Sequence, residues 1–440
     1  MKNKGITLVA LIITIIVLLI LAFTTITIVN EYKIFKYSKN SAKDFDITTV
    51  KEQITLSYSK TKLDDKNAKG TAFFEKLKDN MGLKDVIYVV KEDSLLMFTE
   101  KEYSFKVLED GTVIEEEILV LDIGNGCIDI GTKGYICGVL EQRSGGYNVV
   151  GEQKEYTGTY IITGKSNENA IRIIEKGKYD IIFKDLEIDL TEGLNYDICT
   201  FNANRNKYST GVYVNLYLSG NNYLHSTAAG IGFAGATPNI NGVTDGSTLT
   251  IGGSGSLYVE GNAFCAGIGS GYTGWECAAG DANNIIINSG TITAKTGSNG
   301  CAIGGGFKKN VNNIIINDGR INAIASNRAG IGAAGASVDN IIINGGDINV
   351  TGGEYGAAIG GGEGSGRIIF NDGNITATKQ RFKADSLIGQ GCKIIEINGG
   401  IINGYSENGI GIGSTDNSTQ QIIIRGGTLN IEAKARKVFY

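Results

Sequence analysis

Along its C-terminal half the chain alternates apolar and polar residues in short runs, and the runs return at a nearly constant interval. Asn288-Ser289-Gly290, Asn317-Asp318-Gly319, Asn344-Gly345-Gly346, Asn371-Asp372-Gly373, Asn398-Gly399-Gly400 and Arg425-Gly426-Gly427 end at spacings of 29, 27, 27, 27 and 27 residues. Apolar residues stand five and three positions before each final glycine, as in Ile341 and Ile343. Another stands two positions after it: Ile292, Ile321, Ile348, Ile375, Ile402 and Leu429. Alternation with period two on both sides of a turn predicts two short strands that point every second side chain inward. A third element is an Ile-Gly step at Ile268-Gly269, Ile303-Gly304, Ile331-Gly332, Ile359-Gly360 and Ile388-Gly389. Three strands and three turns in about 27 residues make one coil of a parallel β-helix, with identical residues stacked in ladders, Ile on Ile inside and Asn on Asn at the turn. Earlier copies are longer, Gly220, Gly255 and Gly290 being 35 residues apart, so the solenoid is expected to occupy residues 119–440 with about ten coils.

The preceding residues read differently. Val50 to Tyr58 and Ala72 to Met81 have helical apolar spacing, and Gly82 is a stop signal. Short apolar runs follow at Val86 to Val90, Leu95 to Phe98 and Tyr103 to Leu108. The last is joined through Glu109-Asp110-Gly111 to Thr112-Val113-Ile114, a hairpin signal because Asp-Gly supplies the positive φ of a tight turn. Residues 31–118 are therefore expected to form a small α+β module. At the N-terminus a basic stretch, residues 1–5, precedes Ile6 to Val29, 24 residues without a charge, which predicts a transmembrane helix at residues 6–30 with its N-terminus cytoplasmic.

The order Lys4-Gly5-Ile6-Thr7-Leu8 followed by an apolar segment resembles the type IV prepilin signal. The resemblance implies a bacterial membrane protein whose C-terminal domain is extracellular, cut by a prepilin peptidase between Gly5 and Ile6, methylated at Ile6, and able to meet other pilin-like subunits. Where that family usually carries Glu, this chain has Ala10, which removes one reason to pack into a filament. The repeat in turn resembles right-handed parallel β-helix domains of the pectate-lyase type, and more closely Gly-rich surface modules with Ala-Gly-Ile-Gly and Asn-Gly-Gly steps. The expected fold class is thus mainly β, a right-handed parallel β-helix behind a transmembrane helix and a small α+β module.

Composition narrows the functional choices. With 63 Gly but only Pro238 as proline, the chain is neither collagen-like nor a Pro/Gly linker. A net charge of −5 with dispersed bases leaves no basic stripe, so no nucleic acid partner is expected. The seven cysteines contain no Cys-x-x-Cys pair, and no metal or other cofactor is expected. Polysaccharide hydrolysis needs clustered carboxylates near a histidine. The single histidine, His225, has no motif around it, Asp64-Asp65 lies outside the solenoid, and Asp318 and Asp372 sit at turns. The sequence therefore points away from an enzyme. It points towards binding of a polysaccharide or cell-surface glycan, because the longer coil between Ile268 and Ile303 inserts Tyr272 and Trp275, while Phe233, Phe307 and Lys308 follow equivalent Ile-Gly steps. The competing expectations are assembly as a minor pilin or pseudopilin, and β-helix lyase or hydrolase activity.

Overall fold

The computed structural model describes residues 34–439 apart from 84–85, 92, 100–102, 117, 144–145, 192–197, 205–210, 235–245, 272–279, 363–365, 380–385, 408, 415–418 and 435–437. The chain divides into two compact units, Met1–Glu116 and Glu117–Tyr440.

In the first unit, helix α1 (Ile34–Asp64) is longer than the expected Val50 to Tyr58, and α2 (Gly70–Met81) ends where Gly82 turns left-handed at φ 57°. Phe73, Phe74, Leu77 and Met81 lie on one face of α2 and are buried with Ile54 of α1. These helical residues share a core with Leu95, Met97, Phe105 and Val107 from an antiparallel sheet of β1 (Val86–Val90), β2 (Ser94–Thr99), β3 (Ser104–Leu108) and β4 (Val113–Glu115). The β3–β4 hairpin turns at Gly111, whose φ of 91° is the positive value expected of Asp-Gly.

One part of the expected fold class is corrected here. Among the described residues no helix is long and apolar enough to cross a membrane. The transmembrane helix expected at residues 6–30 lies outside the described residues. In the longest described helix, α1, the residues from Asp44 onwards include Asp46, Lys51, Glu52, Lys60, Lys62 and Asp64, a charge density unlike that of a membrane span. The fold class of the described residues is mainly β, with two α-helices and three largely parallel sheets.

Those three sheets form a β-helix-like solenoid in the second unit. The first runs through eleven strands from Leu119–Asp122 to Gln421–Ile424, and the second through ten from Lys165–Ser166 to Thr428–Ala433. A third sheet holds the Ile-Gly steps and extends at its N-terminal end into the antiparallel strands Gly134–Arg143 and Gly146–Val150. The chain visits the sheets in turn, and each strand pairs in parallel with the strand one coil away. At the core rungs like stands over like: Ile285 pairs with Ile314, Ile314 with Ile341 and Ile341 with Ile368. Each of these isoleucines is fully buried, and burying one contributes about 1.5–3 kcal/mol relative to exposure. On the second sheet Ile292, Ile321, Ile348, Ile375 and Ile402 form a like ladder, also buried.

The turn between first and second sheets is held by amides. Asn317 Nδ2 donates to Asn288 Oδ1 at 2.7 Å, Asn344 to Asn317 at 2.7 Å, Asn371 to Asn344 at 2.7 Å and Asn398 to Asn371 at 2.8 Å. Arg425 stands where the next Asn would be, and its Nη1 donates to Asn398 Oδ1 at 3.0 Å. The following glycine must be left-handed here: Gly346 has φ 93°, and a Cβ on it would meet the Gly319 carbonyl at 2.7 Å.

Ion pairs secure opposite ends of the stack. Near the start Arg172, 1% exposed, grips Asp129 through Nε–Oδ1 at 2.6 Å and Nη2–Oδ2 at 2.7 Å, while Nη1 donates to the Tyr147 carbonyl at 2.9 Å. Near the finish Glu396 accepts from Arg425 at 2.8 Å and also from Arg367 on the opposite neighbouring coil. Arg425 and Arg367 hold the Glu396 carboxyl below its ordinary value.

Arg172→Met leaves the buried Asp129 carboxylate without its partner, so we expect a loss of about 3–5 kcal/mol in the first coils, read as faster amide exchange in strands Cys127–Gly131 and Ile171–Ile173. For Glu396 the folded-state value is depressed, so its stabilisation is complete above the unfolded carboxylate value of about 4.3 and is lost as pH falls through the folded value. Amide protection factors in strands Gln421–Ile424 and Thr428–Ala433, which remove the intrinsic pH dependence of exchange, are expected to fall selectively on acidification, and Glu396→Gln is expected to flatten that dependence.

Candidate functional site

The residues singled out from the sequence separate in space. Gly5, Ile6, Tyr272 and Trp275 lie outside the described residues. Phe233 does not face a ligand: it is fully buried in the solenoid core, and its N–H donates to the Gly269 carbonyl at 2.6 Å. It sits two positions beyond Ile231 and so points the same way, inward. Phe233 is therefore withdrawn from the ligand-facing set.

Phe307 behaves differently because three glycines precede it. Ile303 and Gly304 pair in register with Ile331 and Gly332, but between Gly304 and Phe307 the register shifts, and the ring comes out half-buried on the surface. Lys308 follows in a left-handed conformation, φ 57°, with its side chain exposed. The Phe307 N–H donates to the Phe264 carbonyl at 2.8 Å, drawing together the corners of neighbouring coils.

Around Phe307 the structure assembles groups not singled out from the sequence. Phe264 meets its ring edge-on, with centroids 5.8 Å apart and planes at 62°. The Arg328 guanidinium lies 5.1 Å from the Phe307 centroid and 5.9 Å from that of Tyr355. Lys308 Nζ lies 5.5 Å from the Phe307 ring. Phe264 is 42% exposed and Tyr355 43%, so the cluster presents open aromatic surface. Arg328 Nε is buried and makes no hydrogen bond among the described residues, and each cation–π contact of the guanidinium contributes about 0.5–1 kcal/mol. A readable signal existed. Phe264 and Tyr355 each stand four residues before the Ile of an Ile-Gly step, and Arg328 stands three before Ile331, so all belong to one stacked corner.

The groups considered for catalysis are occupied otherwise. Asp318 and Asp372 accept the N–H of the glycine that follows them, at 2.7 and 2.8 Å, which is turn chemistry. Asp65, in the first unit, pairs with Lys76. His225 Nδ1 lies 3.6 Å from Asp189 and 3.4 Å from the Tyr223 hydroxyl. Burial raises Asp189, but hydrogen bonds from Thr191 and the neighbouring His225 outweigh it and hold the carboxyl below its ordinary value, the opposite of what a general acid needs. Among the described residues no group of three His, Cys, Asp or Glu could hold a metal ion. Burial pushes the Cys127 thiol up to about 11 and those of Cys301 and Cys392 up to about 12, so these are packing groups rather than nucleophiles.

No protein family matches the chain, and no curated protein or solved structure does either.

Proposed function

We propose that the protein is a bacterial surface protein whose solenoid binds a glycan without transforming it. The observation that carries this reading is the platform of Phe264, Phe307, Arg328 and Tyr355, in which rigid aromatic surface stands beside cationic donors. Sugar rings offer apolar C–H faces ringed by hydroxyls, and aromatic groups next to polar ones complement both at little conformational cost. Platform residues come from successive coils of a rigid stack, so they are positioned before a ligand arrives, which lowers the cost of binding. The turn roles of Asp318 and Asp372 and the low-held Asp189 support binding over cleavage. Display at the cell surface is supported by the prepilin-like order Lys4-Gly5-Ile6-Thr7-Leu8, with processing between Gly5 and Ile6.

Two measurements test this reading. In a polysaccharide array probed with the full chain, Phe307→Ala and Tyr355→Ala are each expected to weaken retention about tenfold, on the order of 1.4 kcal/mol, with no released product in a reducing-sugar assay. Retention that is unchanged by both variants, or product formation, counts against the reading. Mass spectrometry of the native protein is expected to find a mature chain that starts at Ile6 and carries a methyl group there; a mature chain that retains Gly5 refutes the processing.

A further inference from the structure

A second surface, on the outer face of the second sheet, has the form of a binding site with a different chemistry. The outward positions Lys165, Glu187, Tyr223, Tyr258 and Thr293 are in register on five successive strands and line an open groove of about 490 Å³. At about 4.8 Å per strand the groove floor spans roughly 19 Å across the coils.

Its walls are prearranged. Tyr223 and Tyr258 stack face to face, centroids 5.0 Å apart and planes 5° apart, and Lys295 Nζ lies 4.9 Å from the Tyr258 centroid. Stacking occupies one face of each ring and leaves the ring edges to line the groove. The Tyr258 hydroxyl donates to Glu260 and the Tyr223 hydroxyl meets His225, which pins both rings. Along the other wall Asn221, Ser256 and Thr291 bring one polar side chain per coil. Ser256 Oγ donates to Asn221 Oδ1 at 2.7 Å, and the Asn221 N–H donates to Asp185 Oδ1 at 2.9 Å. Behind this wall the buried Asn222 amide donates to the carbonyls of Ser219 and Ser256 and accepts the Leu186 N–H, fixing the bend that gives the groove its depth.

The charges restrict the ligand. Lys165 is paired with Glu187, and Asp185 is engaged by a backbone N–H. Among the described residues Asp185, Glu187, Asp189 and Glu260 stand around the groove beside Lys165 and Lys295, and the carboxylates near Tyr223 add to burial in raising its hydroxyl pKa. An anionic chain would be repelled, while a cationic one would have to displace the existing pairs.

We propose that this groove binds a neutral oligosaccharide laid across the coils, its hydroxyls meeting the Asn221, Ser256 and Thr291 side chains and its C–H faces lying along the tyrosine edges. The site is separate from the Phe307 platform, and either can fail without the other. The test is calorimetric titration of the full chain with neutral glucose, mannose, galactose and xylose oligomers of increasing length, beside galacturonic acid and glucosamine oligomers as charged comparators. Affinity for at least one neutral series is expected to rise with length and then level off. Tyr258→Ala is expected to lower that affinity tenfold or more. Thr293→Arg, which fills the groove and leaves the tyrosine stack intact, is expected to do the same, while Phe307→Ala changes it less than twofold. The proposal is overturned if no neutral oligomer binds, if a charged oligomer binds more tightly than every neutral one, or if Phe307→Ala abolishes binding that Thr293→Arg leaves intact.

Discussion

Backbone pairing between coils is the constraint on which the solenoid depends. A single coil has three short strands and cannot satisfy its own N–H and C=O groups, so each coil draws its hydrogen bonds from the one before and the one after. Parallel pairing in register then places equivalent residues directly above one another. From that follow the isoleucine ladders inside, the asparagine ladder at the turn and the glycines where a side chain would strike the carbonyl of the next coil. The ends are where this logic weakens. Ile422, Leu429 and Ile431 of the last described coil are only partly buried, and there the Arg425–Glu396–Arg367 clamp and the pairing of Phe439 with Ile412 add contacts between coils.

A stack of this kind separates fold from function. Inward positions are committed to the ladders, so variation is tolerated at corners and on outer faces, and both proposed binding surfaces lie there. Their electrostatics differ. The corner platform brings Arg328 and Lys308 against aromatic rings, although Glu354 raises the Tyr355 hydroxyl through a hydrogen bond and moderates that positive charge. The groove brings carboxylates around stacked tyrosines. One rigid body can therefore present two unlike surfaces without either disturbing the core.

Much of this architecture is legible in the residue order. The Asn-x-Gly interval, the alternation around it and the Ile-Gly step specify three strands per coil, and all of them appear where the repeat put them. Gly82 as a helix stop and Asp110-Gly111 as a hairpin turn are equally local, because each depends on the backbone freedom of one residue. The expected membrane helix is the element of the fold class that had to be corrected, and the described helices carry too many charges for lipid.

The sites were less legible. Phe233 and Phe307 both follow an Ile-Gly step, yet Phe233 keeps the inward parity of its strand while a register shift turns Phe307 out. Periodicity determines which rung a residue occupies, and it did so for Tyr223 and Tyr258, each three positions after a glycine of the 35-residue interval. Which side chains meet across rungs and around corners was decided only by the tertiary structure. Phe264, Phe307, Arg328 and Tyr355 come from different turns of different lengths, and their contact depends on how each turn bends the chain between strands whose positions the stack has already set.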